Sequence, residues 1–191
     1  MEISNIIRTY ADAKPDMKIN IICRFYPQSD GIIDARSASM KYIIWEELER
    51  KRNASYGDLG VRVQGGHDYN DPTSNESVFL ADLESAIRNC NFSADFLVNI
   101  EHSEWIIAEA HILNEMKALR NLYDLQIACL RVADRTLYQR YLNHEMSITD
   151  IATHYQIAYP SAVKKISRIR KCVQNGLIEI LKKTSCQHGT E

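Results

Sequence analysis

Residues 147–171, SITDIATHYQIAYPSAVKKISRIRK, restrict the folds open to this chain more than any other stretch. Ser147 is a natural N-cap. Behind it Ile148, Ile151, Ala152 and Tyr155 fall at i, i+3, i+4 and i+7, the spacing of one buried helix face. That pattern breaks at Gln156-Ile157-Ala158 and resumes with Val163, Ile166 and Ile169 on a second helix opened by Pro160. A proline near the first helical position is tolerated, because its missing N–H would have no intrahelical partner there. Two short amphipathic helices, a tight turn and a basic second helix form the outline of a helix-turn-helix. Gln156 stands where many such turns carry glycine, and Ala158 brings no capping side chain.

Charge is distributed unevenly around this segment. The net charge is −2, but residues 131–191 hold ten Lys/Arg against five Asp/Glu, whereas residues 1–130 hold thirteen against twenty. Within 160–183 the basic residues are Lys164, Lys165, Arg168, Arg170, Lys171, Lys182 and Lys183, and the single acid is Glu179. A basic module on an acidic body predicts a localised phosphate-contacting face, not indiscriminate polyanion binding.

Upstream, the pattern is helical with one interruption. Residues 34–53 predict a helix in which Met40, Ile43, Ile44 and Leu48 are the apolar positions, joined by Glu47. INIICRFYP before it is too short for periodicity to assign. Residues 53–77, with Gly57, Gly60, Gly65, Gly66, Pro72 and clustered Asn, Asp and Ser, read as a long flexible loop, within which Val61–Gln64 alternates enough for a short strand. From Ser77, the positions Phe79, Leu83, Ala86, Cys90, Ala94 and Leu97 form one seam. Past a kink near 99–103, Trp105, Ala108, Ile112, Met116, Leu119 and Tyr123 form another. The economical arrangement is a long antiparallel α-hairpin over 77–130. A helix over 133–143, burying Leu137, Tyr141 and Leu142, leads into the opening motif, and the last helix, over about 160–182, turns Val163, Ile166, Val173, Leu177 and Ile180 inward. The tail 184–191 is expected to fray. The fold class expected is all-α, with a helical body over 1–130 and a helix-turn-helix module over 131–184.

Several functional classes find no support. No apolar run reaches the length of a membrane span, and the start MEISNIIRTYADAK lacks the layout of a signal peptide, which predicts a cytoplasmic protein without a membrane partner. The cysteines, at 23, 90, 129, 172 and 186, are odd in number and form no CxxC pair, as expected of reduced thiols. Of the histidines flanked by acids, only His111 shares a helix face with one, Glu115; there is no HExxH, and a solvated face explains the pair better than a metal does. P-loop, GxGxxG and GxSxG motifs are absent. The expectation is a non-enzymatic protein without cofactor or metal.

LYQRYLNHEMSITDIATHYQIAYPSAVKKISRIRKCVQNGL, residues 137–177, resembles the fourth region of sigma-70-type transcription factors, at Tyr141, Ile151, Ala152, Ile157, Val163 and Arg168 or Arg170. Together with VRVQGGHDYNDPTSNESVFLADLE, residues 61–84, the chain is similar to phage and prophage transcriptional regulators of the ArpU and RinA type. The resemblance covers residues 61 to about 180 and implies sequence-specific binding of double-stranded DNA and control of transcription. Residues 1–60 show nothing like the promoter-melting region of a full sigma factor. On helix-turn-helix geometry, helix 147–155 crosses the phosphate backbone and helix 159–181 enters the major groove. The expected contact residues are then Ser147, Thr149, Tyr159, Ser161, Lys164, Lys165, Arg168, Arg170 and Lys171. Lysine is a flexible point charge suited to phosphate, and Arg168 is the residue able to pair bidentately with guanine. A homodimer through 77–130 and a monomer in which these helices pack on 16–53 both fit. The alternative function is a sigma-like adaptor that docks on RNA polymerase or another regulator with little DNA contact.

Overall fold

The computed structural model describes residues 3–56, 77–78, 81–83, 85–86, 97 and 100–187. Among these the chain is helical, with no strand: α1 Ile3–Ala11, α2 Pro15–Arg24, a 3-10 turn Tyr26–Gln28, α3 Ser29–Tyr56, α4 Ser103–Ala128, α5 Val132–Leu142, α6 Ile148–His154 and α7 Tyr159–Gln187. The all-α expectation therefore holds for the described residues. The candidate strand at Val61–Gln64 and most of the expected 53–77 loop lie outside them, although 53–56 extend α3. Of the first hairpin arm, 77–78, 81–83 and 85–86 are helical, while Phe79, Cys90 and Ala94 lie outside the described residues. The ambiguous run INIICRFYP divides between α2 and the 3-10 turn, and Pro15 sits in the first turn of α2, where its missing N–H costs nothing.

Contacts gather the chain into two compact units, one of residues 1–32 with 115–191 and one of 33–114. Position 130 thus falls inside the first unit. In that unit Ile6, Ile7, Tyr10, Ile19, Ile22 and Tyr26 are buried from the N-terminal helices, and Met116, Leu119, Tyr123 and Ile127 from α4. Ile32 at the start of α3, Leu137, Tyr138 and Leu142 of α5, Ile151 of α6, and Ala162, Ile166, Ile169, Val173 and Leu177 of α7 are buried as well. α7 packs against α2, α5 and α6. Gln174 Nε2 donates to Asn20 Oδ1 at 2.8 Å, and Lys18 Nζ pairs with Glu115 at 2.7 Å. Deeper, the hydroxyls of Tyr123 and Tyr138 are 2.8 Å apart, and Cys23 Sγ lies 3.8 Å from the latter. Burial raises both phenols far above their ordinary value, so they remain protonated hydrogen-bonding groups.

In the second unit polar contacts tie α3 to α4 and to a residue just ahead of it. Arg36 Nε bonds Glu109 Oε1 at 2.6 Å, and its guanidinium lies 5.4 Å from the centre of the Trp105 ring. Glu47, buried, accepts from the Glu101 backbone N–H just ahead of α4 and from Lys51 Nζ at 3.1 Å. Burial works against the charged carboxylate, but these two donors hold its pKa below the ordinary value.

Two apolar seams differ from the sequence reading. On α4 the buried residues are Ile106, Ala110 and Leu113, one or two positions on from the expected Trp105, Ala108 and Ile112, and the two registers merge from Met116 onward. Trp105 is 40% exposed, its ring under the Arg36 guanidinium. On α7 the inward residue is Ala162, not Val163, which is 37% exposed; Ile180 is half-buried. In both places adjacent apolar residues allow two stripes, and packing against the neighbouring helix selects the one with the closer fit. On α5 Tyr138 is buried and Tyr141 half-buried.

Candidate nucleic-acid interface

The segment Ser147 to Lys171 is built from local signals. Ser147 closes a capping box: its Oγ accepts the Asp150 N–H at 3.2 Å, and its own N–H donates to Asp150 Oδ2 at 2.8 Å. The hydroxyl and N–H of Ser147 hold the Asp150 carboxyl below its ordinary pKa. α6 then ends in a Schellman motif. Ile157 N–H bonds the Ala152 carbonyl at 3.0 Å, and Gln156 N–H the Thr153 carbonyl at 3.2 Å. This geometry requires a left-handed residue at the C′ position, and Gln156 fills it at φ 52°. The same device ends α5: Glu145 N–H bonds the Arg140 carbonyl at 2.9 Å, and His144 takes φ 60°. Both connections therefore turn sharply without glycine. α7 starts at Tyr159 with Pro160 in its first turn, and the Ala158 carbonyl accepts from Ser161 and Ala162.

The buried stripe of α7 sets what faces outward. Opposite Ala162, Ile166, Ile169 and Val173 run Lys164, Arg168 and Lys171, at i, i+4 and i+7. All three are exposed, and among the described residues none forms an ion pair. Between Asp150 and Glu179 the sequence has no acid to neutralise them. Ser161, Tyr159 and Thr149 are likewise exposed at this end of the segment. Ser147 is exposed too, but its hydroxyl is committed to Asp150. Two of the expected contact residues are placed differently. Lys165 is half-buried with Nζ 4.3 Å from the centre of the Tyr155 ring. Arg170 is half-buried, and its Nη2 donates to Tyr141 Oη at 3.2 Å. The structure thus brings Lys164, Arg168 and Lys171 onto one outer stripe and turns Arg170 toward α5.

Tyr155, expected in the module core, is 37% exposed and serves as a platform between His154, 5.0 Å away edge-on, and Lys165. Among the described residues no group of three or more His, Cys, Asp or Glu is arranged to hold a metal ion, and no helix is long and apolar enough to cross a membrane. No known protein family, curated protein or solved structure matches this chain.

Proposed function

We propose that residues 131–184 form a sequence-specific reader of double-stranded DNA, and that the chain is a transcriptional regulator of phage or prophage type. The observation that carries this reading is the unpaired stripe of Lys164, Arg168 and Lys171. It lies opposite the apolar stripe of a helix that follows α6 after the four residues Tyr155–Ala158. In such an arrangement the first turns of α7 enter the major groove, where Tyr159 and Ser161 meet base edges and Lys164 and Lys171 meet phosphates. Arg168 has the planar fork for guanine. α6 crosses the backbone with Thr149. The protein acts in the cytoplasm, without catalysis or cofactor, and a homodimer matches the pseudo-palindromic sites such modules read.

Electrophoretic mobility on genomic fragments at rising salt tests the reading. Lys164→Ala and Lys171→Ala should each weaken binding to all sequences and lower the salt slope by about 0.9. Arg168→Ala should also relax the preference at one base pair. Salt slopes that stay unchanged in all three variants would sink the assignment.

A second reading draws on the same helix. Val163 and Tyr159 are exposed apolar side chains beside the basic stripe, a mixture suited to a protein partner such as RNA polymerase. An adaptor of that kind gives no specific retention of DNA in the same gels.

A further inference from the structure

The first unit contains a cleft whose charge is out of keeping with a merely structural gap. It has a volume of about 540 Å³ and opens between α2, the α5–α6 connection and α7. Two arginines line it, Arg24 from α2 and Arg170 from α7, with His144 and Ser147 from the connection. No carboxylate lines it. Arg170 donates to Tyr141 Oη and also interacts with the Tyr138 hydroxyl, no acid faces it among the lining residues, and its Nε is buried without an acceptor. Arg24 is exposed and rests over the Phe25 ring, 5.5 Å from its centre, with no ion pair among the described residues. Tyr141, Leu142 and Met146 add apolar surface to the lining, and Asn20 and Cys23 complete it.

Two guanidinium groups at one cleft, neither neutralised by an acid, leave positive charge and unused donors at a concave surface. Guanidinium donors match phosphate oxygens in geometry, and a pair of them matches a dianion in charge. The cleft is several times larger than a bare phosphate and falls within the size range of small-molecule sites, with apolar surface for an organic group. We propose that this cleft is a binding site for a small phosphate monoester, its phosphate held between Arg24 and Arg170 and its organic part against Tyr141, Leu142 and Met146. Ser147 lines the cleft and also caps α6, so a ligand here bears on the orientation of α6; that consequence rests on the DNA-binding reading, whereas the site itself does not.

Calorimetric titration of the full chain, without DNA and at fixed ionic strength in potassium chloride, tests the site with phenyl phosphate, inorganic phosphate and benzoate. Phenyl phosphate should bind at one site per chain, more tightly than the other two. Arg24→Gln and Arg170→Gln should each weaken it by about tenfold or more, the loss of one charge-assisted contact. Arg168→Gln, on the outer stripe, should leave it unchanged. Should Arg170→Gln fail to fold, as read by circular dichroism, Arg24→Gln decides alone, since that side chain is exposed. Absence of saturable binding, binding unaffected by Arg24→Gln, equal loss in Arg168→Gln, or tighter binding of benzoate each overturns the proposal. If no probe binds and Arg24→Gln instead lowers the salt slope of DNA binding, the cleft serves a backbone phosphate and the small-ligand assignment falls.

Discussion

Arg120 places its guanidinium 3.7 Å from the centre of the Tyr26 ring, and the Tyr26 hydroxyl donates to Asp124 Oδ1 at 2.6 Å. The same guanidinium donates through Nε to Ser29 Oγ at 2.8 Å and pairs with Asp124 one turn along α4. Arg120 is only 8% exposed, so a buried cation, a ring and a hydroxyl together fasten the start of α3 to α4 within the first unit. Arg120→Leu should destabilise the chain by about 2 kcal/mol, less than for a fully buried pair because Asp124 and Asp30 reach solvent. Urea unfolding gives the value; a midpoint equal to that of the unaltered protein would show that the network contributes nothing.

Tyr26 makes that network sensitive to alkali. Burial, with the hydrogen bond to Asp124, pushes its phenol up to about 12, against the nearby positive charge of Arg120. Below the ordinary phenol value of about 10 the group is protonated in folded and unfolded chains alike. Above it the unfolded chain ionises first, so the stability Tyr26 contributes is intact up to about pH 10 and is lost as pH rises to about 12. Urea midpoints across that window should fall less steeply for Tyr26→Phe. Parallel slopes in the two proteins would exclude Tyr26 as a source.

Ser147 and Asp150 supply the opposite pH dependence. The Asp150 carboxyl is held below its ordinary range by the Ser147 hydroxyl and N–H, so the cap is intact above the ordinary carboxylate pKa and is lost as pH falls through the depressed one. Ser147→Ala should cost about 1 kcal/mol, as for other N-caps. It should also weaken the acid-dependent part of the stability of this segment, leaving the share that the Ser147 N–H contributes. Hydrogen exchange of the α6 amides against pH measures both, and protection that is unaltered in Ser147→Ala would exclude the cap.

What could be read along the chain was what neighbouring residues decide. The cap at Ser147, the break after Tyr155 and the start of α7 near Pro160 depend on residues within four positions, and the structure places all three where the pattern does. Seams were legible only where one apolar residue stood at each turn. At Trp105-Ile106-Ile107 and Ala162-Val163 two stripes are equally apolar, and contacts from distant helices choose between them. Arg170 could not be distinguished from Arg168 by sequence, because its partner Tyr141 lies 29 positions earlier. The packing of α2 on α7 is longer in range still and leaves no mark on local periodicity.

The turns at His144 and Gln156 hold the last prediction. Both residues lie in the left-handed region at the C′ position of a Schellman motif, at φ 60° and 52°. A side chain there crowds its Cβ against the backbone, at a cost of about 1–2 kcal/mol, while glycine pays none of it but loses about 0.5–1 kcal/mol more in chain entropy. The balance favours glycine, so Gln156→Gly should stabilise the chain by about 0.5–1 kcal/mol. Gln156→Val should destabilise it, since a β-branched residue fits this region least. His144→Gly should also stabilise, and the two gains should add, because each turn closes its own helix end. Chemical denaturation of the three single variants and the double glycine variant decides the matter. A Gln156→Gly protein no more stable than its parent would mean that the Gln156 side chain makes contacts worth the strain of its backbone.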